Sequence, residues 1–135
     1  MNVEELKRAM CARREKVKSY GLLSTGSTLL NLAMTGRAEG GWVTGHYFLF
    51  VGDSDSGKSW FMHTSLAEAS INPEFDQYRL IYDNTEIKGL MDVRKYFGDR
   101  LAERIEPPRS SSGEPVYSQT TEEFYYHVDD ALKDG

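Results

Sequence analysis

An α/β fold, with a mostly parallel sheet flanked by helices, is predicted for this 135-residue sequence by three observations. Short apolar runs of strand length, HYFLFV (46–51) and YRLIY (78–82), alternate with stretches of helical periodicity. A glycine-rich turn follows the first run at once and opens directly into a helical pattern. Gly, Asn-Pro and Pro-Pro pairs then punctuate the chain where one element must give way to the next.

Taken in order, residues 2–18 place Val3, Leu6, Met10 and Val17 at helical spacing with charges between them, which predicts an amphipathic helix. Ser24-Thr25-Gly26-Ser27 supplies cap residues for a short second helix carrying Leu29, Leu30, Leu32 and Ala33. Gly36, Gly40 and Gly41 mark a loop, and Trp42 to Gly45 lead out of it. HYFLFV has no polar alternation after His46, the pattern of a strand buried on both faces. Residues 60–70 read as a helix with Met62, Leu66 and Ala69 on one face, ended by Asn72-Pro73. YRLIY is the second strand, closed by Asp83-Asn84-Thr85. Residues 89–97 suggest a helix with Leu90, Val93 and Phe97 inward, and residues 104–106 a short third strand before Pro107-Pro108. Residues 109–114 (RSSSGE) form a polar loop. Thr120-Thr121-Glu122-Glu123 is a capping-box pattern opening a last helix, with Phe124, Val128 and Leu132 on one face and Lys133-Asp134-Gly135 at its end.

The composition narrows the class. Hydrophobic residues make up 39% and charged residues 27%, the balance of a folded domain rather than a disordered chain. No apolar run approaches the ~18 residues of a membrane helix, and the first sixteen residues lack the apolar stretch of a secretory signal. Cys11 is the single cysteine, so no internal disulfide can form, and a reducing, cytoplasmic setting is expected. The net charge of −5 divides unevenly: residues 1–18 carry six Lys/Arg against three Glu, so the remainder is strongly acidic. A whole-surface attraction to nucleic acid is therefore not expected.

The motif that carries chemistry is Gly52-Asp53-Ser54-Asp55-Ser56-Gly57-Lys58-Ser59, which matches G-x-x-x-x-G-K-[ST], the phosphate-binding loop. Glycines let the backbone curl so that successive N–H groups face one anion. Lys58 brings an ammonium group to the β- and γ-phosphates, Ser59 offers a hydroxyl to magnesium, and the following helix adds its positive dipole end. A chance match in a chain of this length has odds of about one in two hundred, and the apolar run before it and helical pattern after it sharpen the signal. Residues Gly52 to Ser59 together with Trp60 are thus the expected nucleotide contacts. Asp53 and Asp55 put carboxylates into a loop meant for phosphate and are expected to point outward.

A second constellation is Asp83-Asn84-Thr85-Glu86, at the carboxyl end of the second strand, where α/β sheets bind ligands. Glu86 there suits a base that orients the water attacking a γ-phosphate. The same residues also suit a plain turn, with Asp83 and Asn84 bonding the local backbone and Glu86 capping the next helix. His46 and His63 lie at no metal-ligand spacing. Tyr117, Phe124, Tyr125 and Tyr126 suit base stacking, but their helical spacing favours core packing. No Ser/His/Asp nucleophile set is evident.

Leu23-Ser24-Thr25-Gly26-Ser27, a short helix, a Gly-rich connection, an apolar strand, GDSDSGKS and then Leu80-Ile81-Tyr82-Asp83 resemble the core opening of the RecA-type recombinases, most of all phage-encoded RecA-like proteins. The resemblance covers roughly residues 20–105 and is most specific in the STGS element upstream of the phosphate loop. It implies a RecA-like P-loop NTPase core over residues 21–135 with an N-terminal amphipathic helix over 1–20. It also implies ATP and magnesium as cofactors, self-association into a filament or ring, and service to homologous recombination or DNA repair on single-stranded DNA. Lys58 and Glu86 would then be catalytic, Glu86 being the counterpart of a D-x-E glutamate although the pattern here is one residue longer.

Two departures qualify it. No apolar strand ending in aspartate, the Walker B element, follows residue 106, and the DNA-binding loops belong beyond it. The chain is accordingly expected to be the N-terminal part of a longer ATPase, binding ATP weakly and hydrolysing it negligibly by itself. Without that neighbour, HYFLFV is expected to leave backbone and apolar surface exposed and to promote association. A non-catalytic nucleotide-binding or assembly module is the alternative, with a RecA-fold helicase-type ATPase a variant of the first reading.

Overall fold

The structure is a computed structural model that describes residues 3–5, 7–8, 21–86, 91–110 and 112–133. The helix expected over 2–18 falls mostly outside those residues, and those described, 3–5 and 7–8, are helical. Cys11, Leu90 and the last two residues also lie outside them. The chain divides into two compact units, Met1–Ala69 and Ser70–Gly135.

The first unit is built on a short antiparallel pair, β1 (Leu22–Leu23) with β2 (Trp42–Val43). Between them runs α1 (Thr28–Thr35), started by Ser27, whose side chain accepts from the Leu30 amide, and stopped by Gly36 at φ 72°. The STGS element is a buried polar clasp. Asn31 accepts from the Thr25 amide (3.0 Å) and the Thr25 hydroxyl (2.7 Å), and donates to the Ala38 carbonyl (3.0 Å). Among the described residues no buried side-chain nitrogen or oxygen lacks a partner, those of Thr25 and Asn31 included, which makes the clasp stabilising rather than a liability. Gly26 sits at φ +83°, and a Cβ on it would collide with Thr64 Cγ2 of the helix that follows the phosphate loop. The pairing of residues 22–23 with 42–43 has no clear sequence signal, because each strand is only two residues long.

The strand expected at 46–51 does not form. The segment is without regular structure, and among the described residues the backbone of 47–51 makes no hydrogen bond. Phe48 and Phe50 pack edge-on against Trp42 (centroids 4.7 and 5.3 Å), and Phe50 does the same with Phe61 (5.2 Å). Tyr47, Leu49 and Val51 alternate with them and stand 82%, 87% and 88% exposed. The residues have strand-like alternation, but no described strand lies beside them to close the ladder.

Helix α2 (Lys58–Ile71) starts earlier than the spacing suggests. His63, Ala69 and Ser70 are its buried residues; along the Met62–Leu66–Ala69 face burial rises from exposed Met62 through half-buried Leu66 to buried Ala69. Asn72 caps a single 3₁₀ turn at Pro73–Phe75.

In the second unit β3 (Leu80–Ile81) pairs in parallel with β4 (Ile105–Glu106), both where strands are expected but trimmed to two residues. The crossover contains α3 (Val93–Phe97), capped by Asp92, and α4 (Asp99–Arg104), which is additional to the expected elements. Phe75, Leu80 and Leu101 are buried, Leu101 completely. Arg104 gathers the carbonyls of Ser70, Phe75 and Tyr78 at 3.1, 2.6 and 3.0 Å. Glu106 is held by Arg79 (2.6 Å) and Arg109 (2.7 Å), and the Arg79 hydrogen bond keeps its carboxyl below the ordinary value.

Helix α5 (Thr121–Lys133) opens with the expected capping box: the Glu123 amide donates to Thr120 Oγ1 (3.2 Å), and the Thr120 amide donates to the Glu123 carboxylate (3.3 Å). Its aromatics are not core residues. Phe124, Tyr125, Tyr126 and Leu132 are all exposed, as is Tyr117, because Val128, Ala131 and His127 occupy the half-buried side.

Candidate phosphate-binding site

The phosphate-loop motif folds around its own lysine. Lys58 Nζ donates to the carbonyls of Gly52 (2.9 Å) and Asp53 (2.6 Å) and contacts Ser56 Oγ (3.4 Å). An ammonium group has three protons, and these three oxygens use them all, so the charge is held across the loop. The curl depends on two left-handed residues, Asp55 (φ 60°) and Gly57 (φ 87°). The first is uncommon for a side chain other than glycine, although aspartate is among those that tolerate it. A Ser56 amide bond to the Asp53 carbonyl (3.3 Å) closes the turn, and Phe61 donating to the Gly57 carbonyl (2.9 Å) begins the helix.

What remains is a set of donors. Among the described residues, the amides of Asp55, Gly57, Lys58 and Ser59 meet no hydrogen-bond acceptor. Three of them sit at the start of α2, where a helix leaves its first N–H groups without partners and its dipole favours an anion. Residues Gly52, Asp53, Ser54, Asp55, Ser56 and Gly57 are exposed, and Lys58 and Ser59 are half-buried. Trp60 is exposed at the third position of the helix. The donor set fits a phosphate chain: unsatisfied amides in sequence, one fixed cation and no carboxylate bonded to Lys58. For magnesium, Ser59 offers one hydroxyl oxygen, and that ion ordinarily completes its shell with phosphate oxygens and waters. No cluster of three or more His, Cys, Asp or Glu suited to a metal occurs among the described residues.

The structure brings Gly52, Asp53, Ser56 and Lys58 together in the first unit. Glu86 belongs to the second. There it is exposed, its amide donating to Asn84 Oδ1 (3.3 Å) in a local turn. It does not cap the next helix, since Asp92 does so.

Asp83 is placed differently from its neighbours. Its carboxylate accepts from the Ser118 amide (3.0 Å) and from the Ser118 hydroxyl, while His127 Nδ1 lies 2.8 Å from that hydroxyl. With the hydroxyl proton directed to Asp83, His127 must donate through Nδ1, giving a chain from imidazole to hydroxyl to carboxylate. Ser118 is buried and its oxygen is occupied on both sides, so the trio ties the end of β3 to the start of α5 rather than presenting a nucleophile. Nothing in the spacing of residues 83, 118 and 127 signals this cluster, because only the tertiary fold brings them within reach.

Among the described residues no helix is long and apolar enough to cross a membrane. Compared with family models, curated proteins and solved structures, the chain matches none.

Proposed function

We propose that the chain binds a nucleoside triphosphate, ATP with magnesium, as the nucleotide-binding part of a RecA-like, DNA-dependent ATPase acting in homologous recombination or repair. The observation that carries the nucleotide reading is the phosphate loop: Lys58 Nζ fixed on the Gly52 and Asp53 carbonyls beside amides at 57–59 that have no acceptor. The more specific RecA-like reading rests on the sequence resemblance.

Bound ATP supplies the phosphoanhydride bond. Lys58 would exchange its Gly52 and Asp53 carbonyl partners for oxygens of the β- and γ-phosphates, the amides of Gly57, Lys58 and Ser59 would hold the phosphate oxygens, and the Ser59 hydroxyl would ligate magnesium. Glu86 is the proposed group for orienting the attacking water on the sequence resemblance alone; it is exposed on a turn of the second unit. A second reading, binding without turnover, is favoured by one observation. Asp83, the other acid of that turn, is committed to Ser118 and His127.

Equilibrium titration with ATP and magnesium, beside a turnover assay with and without single-stranded DNA, tests both readings. Lys58→Ala is expected to weaken ATP binding at least about tenfold, the effect of a lost charge-assisted contact. Equal binding by wild type and Lys58→Ala would end the nucleotide reading. Binding that depends on Lys58, with no turnover under any condition, selects the non-catalytic module.

A further inference from the structure

We propose that Trp60 is the stacking platform for the base of the bound nucleotide, so that the site prefers purine nucleoside triphosphates to pyrimidine ones and to bare polyphosphate. The inference rests on the nucleotide reading and adds the part of the ligand that the phosphate loop cannot read. Backbone amides and one ammonium group recognise phosphate oxygens, which every nucleotide and every inorganic polyphosphate share.

The chain has two tryptophans, and the structure uses them in opposite ways. Trp42 is a packing residue. Its ring meets Phe48, Phe50 and Phe61 at centroid distances of 4.7, 5.3 and 5.6 Å, and its Nε1 donates to Ser65 Oγ (2.9 Å). Trp60 is 47% exposed, although its neighbour Phe61 turns into that same cluster. Ring surface at residue 60 thus faces water, beside the one segment of this unit whose motif calls for a ligand.

Position decides what can use that surface. Lys58 Nζ lies beside the Gly52 and Asp53 carbonyls, so the charge-dense end of a triphosphate that takes it over belongs on that side of the loop. The amides that meet no acceptor among the described residues run the other way, through Gly57, Lys58 and Ser59, and residue 60 comes next. Side chains on a helix lean toward its N-terminus, so the indole of Trp60 covers the first turn of α2, where those amides open. Thr64, one turn later on the same face, donates to the Trp60 carbonyl (3.0 Å) and lies against Gly26, whose added Cβ would come within 2.4 Å of Thr64 Cγ2. That face of α2 is therefore backed by the turn at 24–27, and Trp60 stands at its loop end. A nucleoside leaving the phosphates there meets the indole. Stacking reads the flat face of a base rather than its edge, so it favours the bicyclic purines over single-ring pyrimidines and separates adenine from guanine little.

Equilibrium titration of the full chain with magnesium-ATP and with magnesium tripolyphosphate tests this. Trp60→Ala is expected to weaken ATP binding at least about tenfold, the effect of one lost base stack, and to change tripolyphosphate binding by less than about twofold. Trp60→Phe should recover most of the ATP affinity, because a ring face returns. Wild-type ATP and GTP affinities should agree within about threefold, with CTP at least about fivefold weaker. Tryptophan emission should change with ATP, and Trp60→Ala should abolish the change although Trp42 remains. Equal losses for ATP and tripolyphosphate in Trp60→Ala would mean a damaged loop and overturn the proposal. So would ATP binding untouched by the substitution, or CTP bound as tightly as ATP. Each of those results leaves the phosphate loop standing as long as binding still depends on Lys58. A wild type that binds neither ligand, or binds both regardless of Lys58→Ala, ends the nucleotide reading itself.

Discussion

Residues 46–51 and 78–82 look like the same kind of segment, each short, apolar and aromatic, and each bounded by turn residues. The structure treats them differently. Leu80 and Ile81 pair in parallel with Ile105 and Glu106, and the Tyr82 amide donates to the Glu106 carbonyl (2.9 Å). Arg104 and Arg79 then fasten the pair at its edges through carbonyls and the Glu106 carboxylate. Residues 47–51 have none of this and rest two phenylalanines on Trp42 instead. Apolar composition brings a segment to a surface, but a ladder requires a second backbone. Where no described residue supplies one, every other side chain is left outward.

Measurements on the two regions should separate in size. Leu101, completely buried in the unit that holds the β3–β4 pair, should lose about 2–5 kcal/mol on replacement by alanine, read by denaturant unfolding. Retention of full stability would mean that this region is no better packed than 46–51. Asp83→Ala should remove the acceptor for both the Ser118 amide and its hydroxyl, a loss of about 1–3 kcal/mol, with the Ser118→Ala change smaller because it deletes the orphaned hydroxyl as well.

The Glu106 contribution should show in pH. Its carboxyl is lowered from an ordinary value of 4.5 by the Arg79 hydrogen bond first and then by the charges of Arg79 and Arg109. A lowered folded-state value means the stabilisation is complete above the unfolded value and disappears as pH falls through the folded one. Unfolding measured between about pH 7 and 3 should therefore lose stability below about pH 4.5 in the wild type, and less so in Glu106→Gln. An identical pH profile for the two proteins would count against the ion pairs. Smallest of all, Leu49→Ala should change unfolding by less than about 0.5 kcal/mol, since the side chain is already 87% exposed. A larger loss would reveal a partner for the 46–51 segment in solution.

Much of this molecule is legible locally. The capping box at Thr120 and Glu123, the Ser27 cap and the Asn72-Pro73 break are set by side chains bonding backbone within a few residues. The phosphate loop belongs with them. Its glycine at 57, its lysine at 58 and the helix that follows are neighbours in the chain, and the curl around Nζ needs nothing distant. Helix faces were harder to read. The inward side of α2 carries His63 and Ser70 rather than Met62, and α5 turns its aromatics outward, because what a helix buries depends on what lies beside it.

The sequence by itself determined the short-range devices: caps, turns, the curl of residues 52–58 around Lys58 and the approximate places of β3 and β4, all of which arise from interactions within one turn or one loop. The tertiary structure decided which apolar runs became strands, which helix faces were covered, and that Asp83, Ser118 and His127 should meet. Those outcomes depend on partners tens of residues away, and no local pattern encodes the arrival of a second backbone or a distant side chain.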